Sequence, residues 1–361
     1  MLAEESGSAL TAHNLLVPPN MANAALEVDS MKSILSALAG LFIAVPVMAS
    51  AQPVLTIYTY DSFASEWGPG PAIEKAFEAT CDCDVQFIAL DSSIGILGRV
   101  QLEGASSKAD IVLGLDTNLM TTAANTGLFA PHGARLDGRL ALPVGFTDDT
   151  FVPFDWGHFA FVYDSTRLDT VPTSFDELIN APDDLRVVIQ DPRTATPGLG
   201  LLLWVKSVYG DKADEAWAKL APKIITVTKG WWDSYSMFLE GEADMVLSYS
   251  TSPAYHIVVD GTDQYKAAAF DDGHYMQIEV AAMLKSAPQP ELAKQFMDFI
   301  LDDGFQSVIP TTNWMYPAGK VDVPDAFDGL IQPAKSLTFT PSDVAENKSA
   351  WVSEWQSAIA K

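Results

Sequence analysis

The chain is poor in positive charge. Its 361 residues include 21 Lys and Arg against 47 Asp and Glu, a net charge of −26. That deficit argues against nucleic acid as a partner, because phosphate backbones are held by clustered Lys and Arg. It equally disfavours docking on anionic lipid headgroups. Cysteine is scarcer still: Cys81 and Cys83 are the only two. Two thiols one residue apart do not make a structural zinc site, which takes four Cys or His ligands, and they do not form the C-x-x-C redox motif. A bridge between them would close a small ring, and the spacing leaves bridged and free thiols both open. Past the first thirty residues, the histidines His132, His158, His256 and His274 are scattered without ligand spacing. G-x-S-x-G, H-E-x-x-H, a P-loop and the Rossmann glycine fingerprint are all missing. No metal and no cofactor are therefore expected. Catalytic groups can converge from distant positions, but nothing in the sequence argues for an enzyme.

One apolar run stands out. Residues 31–51 combine a basic start at Lys32, an apolar stretch from Leu35 to Val47 and a small-x-small end at Ala49-Ser50-Ala51. This is the pattern of a secretory signal peptide, cleaved after Ala51. A buried core helix is the alternative. The stretch is shorter than the ~20 residues that span a bilayer, so no membrane insertion is expected after cleavage. The pattern begins at Met31, so residues 1–30 are expected to be a misassigned upstream extension, with the mature chain running from Gln52 in an oxidising compartment.

From Val54 onward the pattern alternates. Val54–Tyr60, Val85–Leu90 and Asp110–Leu115 read as strands separated by helical spacings at Ile73, Ala76 and Phe77 and at Ile94, Leu97 and Val100. Phe151–Asp164 is a long extended stretch, too long for a simple core strand. A second alternation follows: strands at Val187–Gln190, Ile224–Thr228 and Met245–Tyr249, with helices at Gly198–Tyr209, Ala213–Leu220 and Ser234–Leu239. Ser174 and Glu177 form a capping box. Tyr275–Leu284 is extended again, and Glu291–Leu301 and Ser349–Ala360 are helical. Two such series joined by long extended crossings predict an α/β chain of two lobes, each a mainly parallel sheet flanked by helices. Residues 52–158 are expected to form the first lobe, with 280–320 returning to it, and 159–279 the second; 321–361 are left unplaced. Ligands of such sheets bind beyond the carboxyl ends of the strands. Exported two-lobed proteins of this kind close on a ligand by hinge motion.

Aromatic side chains gather at those ends. Tyr60 and Tyr249 end strands, Trp231 follows Gly230, Tyr255 lies in the turn after Tyr249, and Trp314 sits in an Asn-Trp-Met-Tyr-Pro segment. Each alone is explained by core packing. Together they form a candidate aromatic cage, whose faces attract cations by roughly 0.5–2 kcal/mol each. The turn Asp191 to Gly200 opens a helix, where free N–H groups make a ready anion site and Thr194 or Thr196 is the candidate N-cap. Plain capping is the alternative reading. A cation cage beside an anion site suits a ligand carrying both charges.

These stretches resemble the periplasmic thiamine-binding proteins of bacterial ABC importers. The resemblance lies in Tyr58 to Phe63, Trp67 to Pro71, Ser107 to Asp110, Phe151 to Asp155, Gln190 to Trp204, Thr226 to Trp231, Leu247 to His256 and Asn313 to Pro317, and extends over essentially all of Val54 to Lys361. It implies the type II periplasmic-binding fold, with thiamine or its phosphate esters held in the interlobe cleft and delivered to an inner-membrane permease and its ATPase. It also implies ligand contacts at Tyr60, Trp231, Tyr249, Ser250, Thr251, Ser252, Tyr255 and Trp314, with Ala195 and Thr196 at the hydroxyethyl or phosphate end. Two departures stand out. Ala195 replaces an expected serine, removing a hydroxyl donor. Ser92 and Ser93, also candidate ligand contacts, replace an expected acid-glycine pair, leaving Asp91 or Asp61 to partner the aminopyrimidine. The competing readings are a polyamine-binding protein, which would place several carboxylates in the cleft; a ferric-ion binder, which would want adjacent tyrosines where Tyr249 is followed by Ser250; and an exported thiamine-degrading enzyme, for which Cys81 or Cys83 is the only thiol.

Overall fold

The computed structural model describes residues 52–360; the expected extension (1–30), signal peptide (31–51) and cleavage point lie outside the described residues. The strands are β1 (Val54–Tyr60), β2 (Asp84–Leu90), β3 (Ile111–Asp116), β4 (Phe151–Asp164), β5 (Val187–Gln190), β6 (Ile224–Thr228), β7 (Met245–Tyr249), β8 (Tyr265–Ala267) and β9 (His274–Met283), with two-residue strands at Tyr316–Pro317 and Ser336–Leu337. Most are runs of β-branched and aromatic residues, which pack well on a pleated surface. The main sheet path is β2-β1-β3-β9-β4-β7-β5-β6, with β8 beside β4.

Parallel pairing joins β1 to β2 and β3, and β5 to β6 and β7, because helices supply the crossovers. Two long strands connect these trios. β9 runs antiparallel to β3 and to β4. β4 pairs with β9 over Phe151–His158 and then with β7 over Phe159–Tyr163. This is the two-lobed α/β architecture expected from the sequence, with one refinement: each parallel trio is completed by the antiparallel crossing strands. Both crossings are buried along nearly their whole length, which is why they show no alternation of apolar and polar residues.

Packing follows from the same residues. The helix Thr196–Tyr209 is apolar almost all round and buried from Thr196 to Val205. It lies so close to β4 that a Cβ at Gly200 would stand 2.0 Å from the Phe159 ring. Ser174 Oγ accepts from the Glu177 N–H at 3.1 Å, while the Glu177 carboxylate accepts from the Thr173 N–H at 2.7 Å rather than from Ser174. The last helix, Pro341–Ile359, starts eight residues before the expected Ser349, at an N-cap Thr340 whose Oγ1 accepts from the Asp343 N–H at 3.1 Å. It packs Trp355 edge-on to Trp217, ring centroids 6.4 Å apart, and pairs Glu354 with Lys206 at 3.0 Å. Cys81 and Cys83 are disulfide-bonded, in the short connection between the helix Gly70–Glu78 and β2.

Candidate functional site

A cavity of about 540 Å³ opens where strand ends from both halves of the sheet meet. Tyr60 enters from the end of β1, Ser92 and Ser93 from the helix start after β2, Ala195 and Thr196 from the helix start after β5, Trp231 from the helix start after β6, and Tyr249 with Ser252 and Tyr255 from the end of β7 and the segment after it. Trp314 comes from the late segment Thr311–Met315. Ten of the twelve expected contact residues therefore line one cavity. Ser250 and Thr251 do not. Ser250 turns away with its N–H on the His158 carbonyl at 2.8 Å, and the Thr251 hydroxyl points at the Met315 sulfur at 3.6 Å. Both side chains are buried as the supports of the turn that presents Tyr249 and Ser252.

The aromatic walls are fixed by specific partners. Trp231 stacks on Tyr235 with centroids 4.9 Å apart, and its indole N–H donates to Ser248 Oγ at 2.8 Å. Tyr235 is itself held by its hydroxyl on His256 Nε2 at 2.9 Å, and His256 Nδ1 meets Asp260 at 2.7 Å. Tyr249 lies against Phe159, centroids 5.2 Å apart, and its hydroxyl accepts from Gln277 Nε2 at 3.2 Å. Trp314 is edge-on to Tyr255 at 5.4 Å. Its φ of 55° makes it the one non-glycine residue with positive φ among those described, a conformation costing of the order of 1–3 kcal/mol that its surroundings must impose. Trp67 and Trp232, reaching in from opposite halves, meet at 5.5 Å along one edge of the opening. On the same edge Lys229 pairs with Asp91 at 3.2 Å, and the Ser92 hydroxyl donates to the Thr194 carbonyl.

The helix Thr196–Tyr209 aims its N-terminus at the cavity. Its N-cap is Ala195, with no side-chain cap, so neither expected threonine plays that part. Thr194 Oγ1 instead donates to the Lys229 carbonyl at 2.9 Å. Thr196 lies inside the first turn, and its buried hydroxyl has no partner. An uncapped helix start beside an unpartnered hydroxyl is equipped to hold an electronegative group. Ser92 is the N-cap of Ser93–Glu103, accepting from the Gly95 N–H at 3.2 Å. Asp91 and Asp61 both line the opening; burial raises the Asp61 carboxyl.

Sequence reasoning missed the cavity's buried carboxylate. Glu279, from the middle of β9, lines the cavity and is almost fully buried. Its Oε2 accepts from the Tyr60 hydroxyl at 2.9 Å. Asp155 on β4 stands directly opposite it and accepts from Asn313 Nδ2 at 2.6 Å. Burial pushes Asp155 up to about 7, and burial together with Asp155 pushes Glu279 well above the usual carboxylate range. Burial and these acids raise Tyr60 and Tyr249 far above 10, so both stay protonated hydroxyls. The available signal was an acid between two apolar residues of a long extended stretch, Ile278-Glu279-Val280, since acids are rarely fully buried unless paired. No group of three or more His, Cys, Asp or Glu is arranged to hold a metal ion among the described residues.

Residues 68–307 match the bacterial extracellular solute-binding protein family. The chain is 54% identical over 311 residues to the thiamine-binding periplasmic protein of Escherichia coli (strain K12), covering 86% of this chain and 95% of that one. It is 53% identical over 315 residues to the thiamine-binding periplasmic protein of Brucella suis biovar 1, covering 87% and 94%. A solved structure titled periplasmic thiamin binding protein superposes with a TM-score of 0.84 at 54% identity, covering 86% of this chain and 97% of that one.

Proposed function

The chain belongs to the bacterial extracellular solute-binding proteins, and from that premise we propose that it captures thiamine, without chemical change, for an ABC importer. The observation that carries this reading is the cavity itself: rings of Tyr60, Trp231, Tyr249, Tyr255 and Trp314 surround one space that also exposes Glu279. A thiazolium is a permanent cation on an aromatic skeleton, and aromatic faces with a nearby carboxylate are the chemistry that holds one. The uncapped helix start at Ala195 and the free Thr196 hydroxyl would face the hydroxyethyl end or a phosphate ester. Ser92 and Ser93 would edge the aminopyrimidine side. The proposed division is a first lobe of 52–158 with 280–320 returning, and a second of 159–279, closing on the ligand. Site of action would be the periplasm after cleavage following Ala51, with handover to an inner-membrane permease whose ATPase performs the only catalysis.

The test is calorimetric titration of protein beginning at Gln52, freed of bound ligand by refolding, with thiamine, its mono- and diphosphate, and spermidine. One-to-one thiamine binding that exceeds spermidine by at least tenfold is expected. Spermidine binding without thiamine binding would overturn the assignment while leaving the fold intact.

A further inference from the structure

Three carboxyl groups form a row across neighbouring strands. Glu279 on β9 is directly opposite Asp116 on β3 and directly opposite Asp155 on β4. Directly paired residues of antiparallel strands share a face and sit side by side. All three are buried, and only Glu279 reaches the cavity. Asp116 has its own partners: Asn118 Nδ2 donates to it at 2.8 Å, and Lys348 lies close enough to lower it from the value that burial alone would set. No described ion pair includes Glu279 or Asp155. Tyr60 and Asn313 each satisfy one oxygen of the pair, and Asp155 Oδ1 is buried with no donor. The two carboxyls face each other directly across the pairing of β4 with β9, and the Asp155 charge raises Glu279. Two buried carboxyl groups side by side, with no cation beside them, resist ionising together and hold one proton between them.

We infer that Glu279 and Asp155 together are the counter-ion of the ligand's cationic ring, and that seating the cation expels their shared proton to solvent. The inference rests on the thiamine reading above. The charges balance: a singly protonated pair of charge −1 and a ligand of charge +1 become a doubly ionised pair of charge −2, the bound cation and a free proton. The other groups facing the pair are Tyr60 from β1, Asp116 from β3, Tyr249 from β7 and Asn313 from the late segment. The tyrosines do not titrate in the neutral range, and Asp116, pushed up only to about 6, is largely ionised at pH 7. Opposite charge favours ionisation, so the pair's affinity for protons falls on binding and affinity for the cation rises with pH.

The experiment is titration of thiamine into the mature protein in phosphate and in Tris buffer, from pH 6.5 to 8, where the ligand's charge is fixed by its quaternary nitrogen. The binding enthalpy at pH 7 is expected to differ between buffers by the ionisation heat of about one proton. The Kd is expected to tighten by up to about tenfold per pH unit while the empty pair holds its proton, and to level off above that. Glu279→Gln is expected to lose both the buffer dependence and the pH slope while still melting cooperatively. Asp155→Asn gives the same result by removing the other partner. If either variant does not fold, the wild-type buffer comparison decides alone. A wild-type enthalpy independent of buffer, or a Glu279→Gln protein that releases the proton undiminished, overturns the inference and leaves the thiamine assignment standing. A wild-type protein that does not bind thiamine at any of these pH values overturns both.

Discussion

Gly114→Ala is the most searching test of how the fold holds its site, because it adds one methyl group to a residue outside the cavity wall. Gly114 lies at an irregularity in β3, between Leu113 and Leu115, with φ of 104°. A Cβ built there would stand 2.4 Å from Cδ1 and 2.5 Å from Cε1 of Tyr60. Ordinary carbon contacts are about 3.5–4 Å, so the ring must retreat by roughly 1 Å or more. Tyr60 is 2.9 Å from Glu279 through its hydroxyl, and that bond is the first casualty. The unfavourable φ costs about 1–3 kcal/mol and the overpacking about 1–3 kcal/mol. At roughly 2 °C per kcal/mol for a chain of this size, the melting temperature should fall by about 4–12 °C. Losing one well-placed aromatic face, worth about 1–2 kcal/mol, should weaken thiamine binding by roughly 5- to 30-fold. Gly98→Ala is the control. It lies inside the helix Ser93–Glu103 and its Cβ would meet nothing within 4 Å, so it should stabilise by about 0.5–1 kcal/mol with the Kd unchanged. Melting curves and titration calorimetry on both variants decide the matter. If Gly114→Ala matched the wild type in melting temperature and Kd, the claim that β3 sets the position of Tyr60 would be wrong.

Trp231→Ala removes a cage wall and its stack on Tyr235; calorimetry should show thiamine binding weakened about 10- to 100-fold, from a loss of roughly 1.4–2.7 kcal/mol. Trp231→Phe keeps one aromatic ring and loses the second ring and the 2.8 Å bond to Ser248, so its loss should stay within about tenfold, and equal losses in the two variants would contradict the stacking role. Ala195→Ser restores a hydroxyl at the uncapped start of Thr196–Tyr209; binding of thiamine monophosphate should tighten by about 3- to 10-fold relative to thiamine, and an unchanged ratio would remove that turn from the phosphate end.

Much of the fold was readable because its elements obey one rule each. β4 and β5–β7 are apolar or β-branched runs bounded by turns, and the observed limits of Phe151–Asp164, Val187–Gln190, Ile224–Thr228 and Met245–Tyr249 coincide with the expected ones. The last helix was readable only in its second half. Its first turns, Pro341-Ser342-Asp343-Val344-Ala345-Glu346, bury just Val344, so they carry almost no apolar periodicity. The start is signalled instead by a capping threonine followed by proline. The absent N-cap at Ala195 failed for the opposite reason: a threonine before a helix is a sound cap signal, and here Thr194 is drawn to the Lys229 carbonyl.

The site divides along the same line. Tyr60, Tyr249 and Trp231 could be picked out because they sit at strand ends or just beyond, and topology brings such ends together whatever the register. Glu279 could not, because its importance depends on register. One acid in β9 and one in β4 are each visible as oddities in apolar strands, at Ile278-Glu279-Val280 and Phe154-Asp155-Trp156. Only the antiparallel pairing of the two crossing strands sets them side by side. A shift of one residue in that pairing would turn Glu279 to the opposite face of the sheet, taking the carboxylate out of the aromatic cavity and parting it from Asp155. The same two strands join the halves of the sheet. Any change that alters how β4 meets β9 therefore acts on the charge beneath the ligand as well as on the connection between the lobes, and a ligand held by that charge senses both.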